Sequence, residues 1–198
     1  MRGEWRRCRR WLFALGVLLW VGSVQPASAL ELGTLLDRVR VTPPERVVFR
    51  ELRYNSLLQE PMELSGYLEY LGPGKMRKVI ESPFQEALLV DGDRIEISRD
   101  GRTRRLSLRT RKPALLMLQS IESLLAGNVE SLNRHFETTL SGSEDDWRLQ
   151  LTPKSEQLAR RLSGISVCGS REAIDSFRFE MQNGEWQQMQ VLHDSGPP

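Results

Sequence analysis

From Arg46 to Leu192 the chain is a succession of short alternating runs, each closed by a turn signal, and this pattern leaves few architectures open. The clearest run is "MELSGYLEYL" (62–71). Met62, Leu64, Gly66, Leu68 and Tyr70 fall on one side, and Glu63, Ser65, Tyr67 and Glu69 on the other. A period of two puts successive side chains on opposite faces of a strand. "RVVFRELRY" (46–54), "MRKVIE", "EALLV", "RIEIS" and "RRLSLR" continue the series, and "ETTL", "DWRLQL", "ISVCG", "SFRFEM" and "WQQMQVL" resume it later. Between them lie Gly72-Pro73-Gly74, Asp91-Gly92-Asp93, Asp100-Gly101-Arg102, "SGSEDD" and Asn183-Gly184. Gly tolerates the positive φ that tight hairpins need. About ten antiparallel strands are expected, many for a domain of this length. A flat sheet that wide exposes its edges, so curling or closure is favoured. The expected class is α+β: an unclosed antiparallel β-barrel with helices against its concave face.

The helical signals are few. Leu32, Leu35, Leu36 and Val39 follow the i, i+3, i+4, i+7 rule, which predicts a short amphipathic helix over 30–40. Pro43-Pro44 stops it. "PALLMLQSIESLLAG" (113–127) is apolar on nearly every side of its first half, more than one buried stripe requires. Pro113 suits its first position and Gly127 its stop. Asn128 can cap a second short helix reaching Phe136, and Thr152 with Pro153 can open a helical turn.

The N-terminus carries Arg2, Arg6, Arg7, Arg9 and Arg10, an apolar run from Trp11 to Val24, and Ala27-Ser28-Ala29. Basic region, apolar core and small residues are the parts of a secretory signal peptide, with cleavage expected before Leu30. The 14-residue run is short of the ~20 residues a spanning helix needs. The expected mature domain is then residues 30–198. Removing five Arg and one Glu from 28 basic and 26 acidic residues leaves 23 and 25, a net charge of −2. A chain of that balance has no overall electrostatic footprint for nucleic acid. Cys8 leaves with the signal, so Cys168 stands alone and no intrachain disulfide is expected.

The order and spacing of several segments add a resemblance. "LLDRV" (35–39) precedes the first strand, followed by "GYLEYLGPGKMRKVIESP" (66–83), "LLVDGDRIEIS" (88–98) and "LQLTPK" (149–154). In this series the chain resembles the LolA family of periplasmic carriers, which move lipoproteins between the two membranes of Gram-negative bacteria. "FRELR" (49–53), "LLAGNVESLNRHF" (124–136) and "DWRLQLTP" (146–153) look closer to a divergent branch associated with glycolipid or polyene-type export systems. The resemblance implies an unclosed barrel whose helices cover a hydrophobic cavity. It implies acyl-chain cargo (lipoprotein or glycolipid), an inner-membrane exporter, an outer-membrane acceptor, and a monomer. The alternative is a periplasmic lipid-sensing signalling protein on the same fold. The family carries a basic residue just before the proline of the strand-two turn, thought to help hold the lid; here that residue is Gly72.

The candidate cavity wall is read from the apolar strand faces: Leu64, Leu68, Tyr70, Ile95, Ile97, Leu106, Leu108, Trp147, Leu149, Leu151, Phe177 and Phe179. Some of these must form ordinary core. Leu115 and Leu116 of the apolar helix are assigned to the cavity, and the stripe Leu118, Ile121, Leu125 to the barrel wall. Phe49, Glu51 and Arg53 share one face of the first strand, where Glu51 and Arg53 form either a solvated or cross-strand ion pair or a gate at the barrel mouth. "RDGRTRRLSLRTRK" (99–112) holds seven basic residues and one acid. Arg102, Arg104, Arg105 and Arg109 are candidates for docking an acidic partner or an anionic headgroup; the competing reading is a charged strand edge that discourages aggregation. His135 and His193 are distant in sequence, and no metalloprotease, nucleophile-elbow or phosphate-loop motif occurs. Catalysis is not expected, nor any cofactor or metal.

Overall fold

The alternating runs become strands of a single antiparallel sheet in a computed structural model of the chain, which describes residues 30–107, 119 and 121–193. Eleven strands are described: β1 (Glu45–Tyr54), β2 (Met62–Gly72), β3 (Lys75–Ser82), β4 (Glu86–Asp91), β5 (Arg94–Arg99), β6 (Arg102–Ser107), β7 (Phe136–Ser143), β8 (Asp146–Pro153), β9 (Leu162–Ser170), β10 (Ala173–Met181) and β11 (Trp186–Leu192). Their order is β6-β5-β4-β3-β2-β1-β11-β10-β9-β8-β7. The chain therefore makes two meanders that meet where β1 pairs with β11, with Glu51 opposite Met189 and Arg53 opposite Gln187. The sheet's two edges, β6 and β7, are joined in sequence by residues 108–135, so the helical insertion begins at one edge and ends at the other. Short hairpins explain the neighbour-to-neighbour order.

Alternation decides which face is buried. On β1, Phe49 and Glu51 are buried, while Val48 before them and Leu52 after them face outward and are exposed. Across one half of the inner face Phe49, Leu64, Ile80 and Met189 form a small cluster. Across the other half Trp147, Leu149, Leu151, Ile165 and Val167 pack with α1 (Leu32–Arg38) through Leu35 and Leu36. Each such leucine, fully buried, contributes ~1.5–3 kcal/mol of transfer free energy. The Trp147 indole lies against Gly169 across the β8–β9 ladder. A Cβ on Gly169 would sit 2.2 Å from that ring, so glycine is needed for the close approach.

Two helices sit at the end of the insertion. The helical residues 121–125 are labelled α2, and α3 is Val129–His135. Gly127 stops α2 at φ 71°, a left-handed conformation that glycine adopts freely. Asn128 caps α3, its side-chain oxygen accepting from Ser131 N–H at 2.9 Å, as the sequence predicts. The helical turn expected from Thr152 and Pro153 is corrected. Both residues extend β8, opposite Glu137 and Phe136, because ladder pairing with β7 outweighs the local turn preference. The helix there is α4 (Glu156–Ala159), capped by Ser155, whose Oγ accepts from Leu158 N–H at 3.3 Å. The expected signal peptide, Pro113, Leu115, Leu116 and Leu118 lie outside the described residues.

Candidate functional site: an apolar cavity with an ionic floor

Between α2 and the inner face of the sheet lies a cavity of about 230 Å³. Leu68, Met76, Leu88 and Val90 form one wall, from β2, β3 and β4. Phe177, Phe179 and Met189 form the facing wall, from β10 and β11. Ile121 and Leu125 of α2 close the top. The arrangement follows from the fold: β1 and β11 join the two meanders into one inner face, and α2 lies over the part where they meet. Lys78 and Gln187 are the polar residues of the lining.

Lys78 belongs to an ionic cluster on the cavity floor. Glu51 is 1% exposed. Its Oε1 accepts from Arg53 Nε at 3.0 Å and from Arg53 Nη2 at 2.7 Å. Its Oε2 accepts from the Lys78 ammonium, which reaches across from β3 and also lies 4.8 Å from the centre of the Phe49 ring. An unpaired carboxylate buried to this degree would be costly, and two cations compensate it. Burial pulls the Lys78 ammonium below the ordinary lysine range, and the Glu51 carboxylate opposes that shift. Glu86 opposes it more weakly, and lies 3.8 Å from Arg99 on the neighbouring strand.

The covering helix is tied at both ends of its described span. Gly74 N–H, in the β2–β3 turn, donates to Glu122 Oε1 at 2.6 Å. Val41 N–H, in the link from α1 to β1, donates to Leu125 O at 2.8 Å. Ser123, buried, donates to Gln119 O at 2.6 Å and shares a 2.8 Å hydroxyl–hydroxyl hydrogen bond with Ser131 Oγ, which joins α2 to α3. The Tyr70 phenol on β2 is raised above its ordinary range by burial and by the nearby Glu122 carboxylate. Gly72 carries no side chain that could hold the lid, and Lys75 pairs with Asp91 at 3.3 Å, so the tie from this turn is a backbone N–H.

A family model described as outer membrane lipoprotein carrier protein LolA-like matches residues 24–193. The chain belongs to this LolA-like family. An outer-membrane lipoprotein carrier protein of Chromohalobacter salexigens is 23% identical over 188 residues, covering 90% of this chain and 83% of the relative. Among solved structures, a LolA superfamily protein from Nitrosomonas europaea aligns with TM-score 0.44 and 11% identity, covering 83% of this chain and 93% of that one. The lipoprotein LppX of Mycobacterium tuberculosis aligns with TM-score 0.40 and 11% identity, covering 84% and 96%.

In this LolA-like protein the residues read from sequence as cavity wall divide into three groups. Leu68, Phe177 and Phe179 line the cavity. Leu64 lies in the small cluster with Phe49, and Tyr70, Trp147, Leu149 and Leu151 lie in the main packed core; these five are not among the residues lining this cavity. Trp147, Leu149 and Leu151 are covered by α1 and α3, which fill that half of the trough. Ile95, Ile97 and Leu106 are half-buried further along the same face, with Ile95 opposite Val90 and Leu106, and Ile97 opposite Leu88 and Arg104. Leu108, Leu115 and Leu116 fall outside the described residues. Ile121 and Leu125, expected against the barrel wall, pack with sheet residues such as Tyr70 and Met76 and also line the cavity.

The arginines also divide. Arg105 is 81% exposed on the outer face, 2.9 Å from Glu96 on β5. Arg102 and Arg104 are exposed too, but stand opposite Arg99 and Ile97, on the face that carries Leu106. These three therefore do not form one surface, because neighbours in a strand alternate. Arg109 lies outside the described residues. In the pair Glu51–Arg53, read foremost as solvated or cross-strand, the carboxylate is buried, the guanidinium is half-buried, and both lie on one strand. Lys78 was missed. The signal was present, since a lysine falls between Met76 and Ile80 on an otherwise apolar strand face.

One arrangement superficially resembles a hydrolase triad. Ser170 Oγ donates to Asp175 Oδ2 at 3.0 Å, and His193 Nε2 lies 3.1 Å from Asp175 Oδ1. The carboxylate stands between serine and imidazole, so the histidine is not placed to take the serine proton. Among the described residues no group of three or more His, Cys, Asp or Glu could hold a metal ion.

Proposed function

We propose that this LolA-like protein is a periplasmic carrier that shields acyl chains between an inner-membrane exporter and an outer-membrane acceptor. The observation that carries the reading is the 230 Å³ apolar cavity closed by a separately tied helix. A leucine- and phenylalanine-lined cavity of about 150 Å³ stays dry and binds benzene, so this one has room for roughly nine carbons by proportion. At ~0.8 kcal/mol per buried methylene, that gives ~7 kcal/mol, within the range of ~4–15 kcal/mol lost on association. The cavity as it stands thus holds a chain weakly. Full uptake needs α2 to swing outward and enlarge the space, and the family match and the carrier relative agree with such a role. Export by a signal peptide cleaved before Leu30 places the carrier in the periplasm on this reading. It acts by differential affinity and release and makes or breaks no bond.

The test is native mass spectrometry of protein purified from its own cell envelope, followed by extraction and identification of co-purifying lipid. A bound acyl-bearing molecule in stoichiometric amount is expected. Protein that carries none, and that takes up no apolar fluorescent probe in vitro, would remove the carrier reading.

A further inference from the structure

We infer that the Glu51–Arg53–Lys78 cluster is a headgroup site, and that the cargo is an acyl chain ending in an anionic oxygen group such as a carboxylate or phosphate. The inference rests on the carrier reading and adds the chemical class of the ligand. Two cations meet one carboxylate, so the cluster keeps a net charge of +1 beneath an apolar cavity. Glu86 and Arg99 bring one further charge of each sign and leave that excess unchanged. Glu51 engages only Nε and Nη2 of Arg53, leaving Nη1 without a hydrogen bond to any described residue. The side chains of Arg53 and Lys78 remain 28% and 19% accessible, whereas that of Glu51 is 1% accessible. Both cations can therefore be reached while their counter-ion cannot.

Position links this charge to the cavity. Lys78 is itself part of the lining, and Arg53 is paired across the ladder with Gln187, which is also lining. A chain lying along Leu68, Phe179 and Met189 ends within reach of the ammonium. Charge-assisted hydrogen bonds are stronger than neutral ones and gain further in a site that excludes water. Ion pairing solely to hold β1 to β3 would call for balanced charge, and the excess cation is what an anionic ligand would neutralise.

The experiment compares binding of palmitate and hexadecanol to the mature protein, by probe displacement at neutral pH. The two share a chain and differ in charge. Palmitate is expected to bind about tenfold more tightly. Arg53→Gln and Lys78→Met should each shrink that ratio toward one. Glu51→Gln should enlarge the ratio, because it removes the negative charge and keeps both cations. Should Lys78→Met fold poorly, Arg53→Gln at the more accessible cation carries the test, since it leaves Lys78 to compensate Glu51 and takes the cluster's net charge to zero. Acetate and inorganic phosphate, added at millimolar concentration, should displace neither ligand. Equal binding of palmitate and hexadecanol, or a ratio unmoved by Arg53→Gln and Glu51→Gln, would overturn the headgroup site and leave the carrier standing. Displacement by acetate or phosphate alone would make it a free-anion site and overturn the inference in that way. Binding of neither ligand would count against the carrier itself.

Discussion

Gly74 and Glu122 are 48 positions apart and joined by a 2.6 Å hydrogen bond, so the β2–β3 turn holds the helix that roofs the cavity. The acceptor is a carboxylate and the donor a backbone N–H, which makes this bond stronger than a neutral pair. Glu122→Ala should lower stability by ~1 kcal/mol, since the site is partly exposed to water. It should also speed uptake of an apolar probe, measured by stopped-flow fluorescence. An unchanged uptake rate with the expected loss of stability would mean that α2 is a fixed wall and not a gate.

Leu124 and Leu125 are adjacent yet stand in different surroundings. Both belong to the packed core, but Leu125 also lines the cavity and Leu124 does not. Leu124→Ala should cost ~2–5 kcal/mol, as for close-packed leucines. Leu125→Ala should cost clearly less, because part of its surface already meets empty space, and it should weaken probe binding more. Denaturant melts of both variants with a probe titration check this. Equal destabilisation with unaltered binding in both would show that the cavity holds no ligand.

Lys78 gives the protein a pH signature. Its folded value lies below that of free lysine because burial disfavours the charged form. Between those two values the unfolded chain holds more protons than the folded one, so this group makes stability rise with pH across that alkaline window. Tyr70 acts in the opposite sense. Its folded value is raised, so its contribution is complete below the ordinary phenol value and is lost as pH climbs through the folded one. Denaturant midpoints taken across the alkaline range in a Tyr70→Phe background should show the rise. Adding Lys78→Met should flatten it, whatever that variant does to stability at neutral pH.

Charge on β6 can be tested face by face. Arg105→Glu puts two acids opposite each other at 96 and 105, on an exposed surface, and should change stability by no more than ~1 kcal/mol. If an acidic partner docks on the outer face, Arg105→Glu weakens transfer in a salt-sensitive way and Arg104→Glu does not. A transfer assay in which neither variant matters at low salt would assign the arginines to protecting an edge strand.

Strands, turns and caps were legible in the chain because each is set by near neighbours. The alternation in 62–71, the glycine turns, and Asn128 as a cap all act over a few residues, and the structure carries them as read. The strand face that turns inward was legible as well, because a period of two allows just two choices and the apolar one is buried. What alternation cannot say is which part of a long inner face is packed solid and which is hollow. Leu149 and Phe179 look alike in sequence, but α1 and α3 cover the neighbourhood of the first and α2 only roofs that of the second. The ionic floor was hidden for the same reason. Glu51 and Lys78 are 27 residues apart, and only the curl that brings β1, β2 and β3 side by side lets one lysine reach one buried carboxylate. Local preference wrote the elements, and the closure of the sheet on its helices decided where charge and empty space would meet.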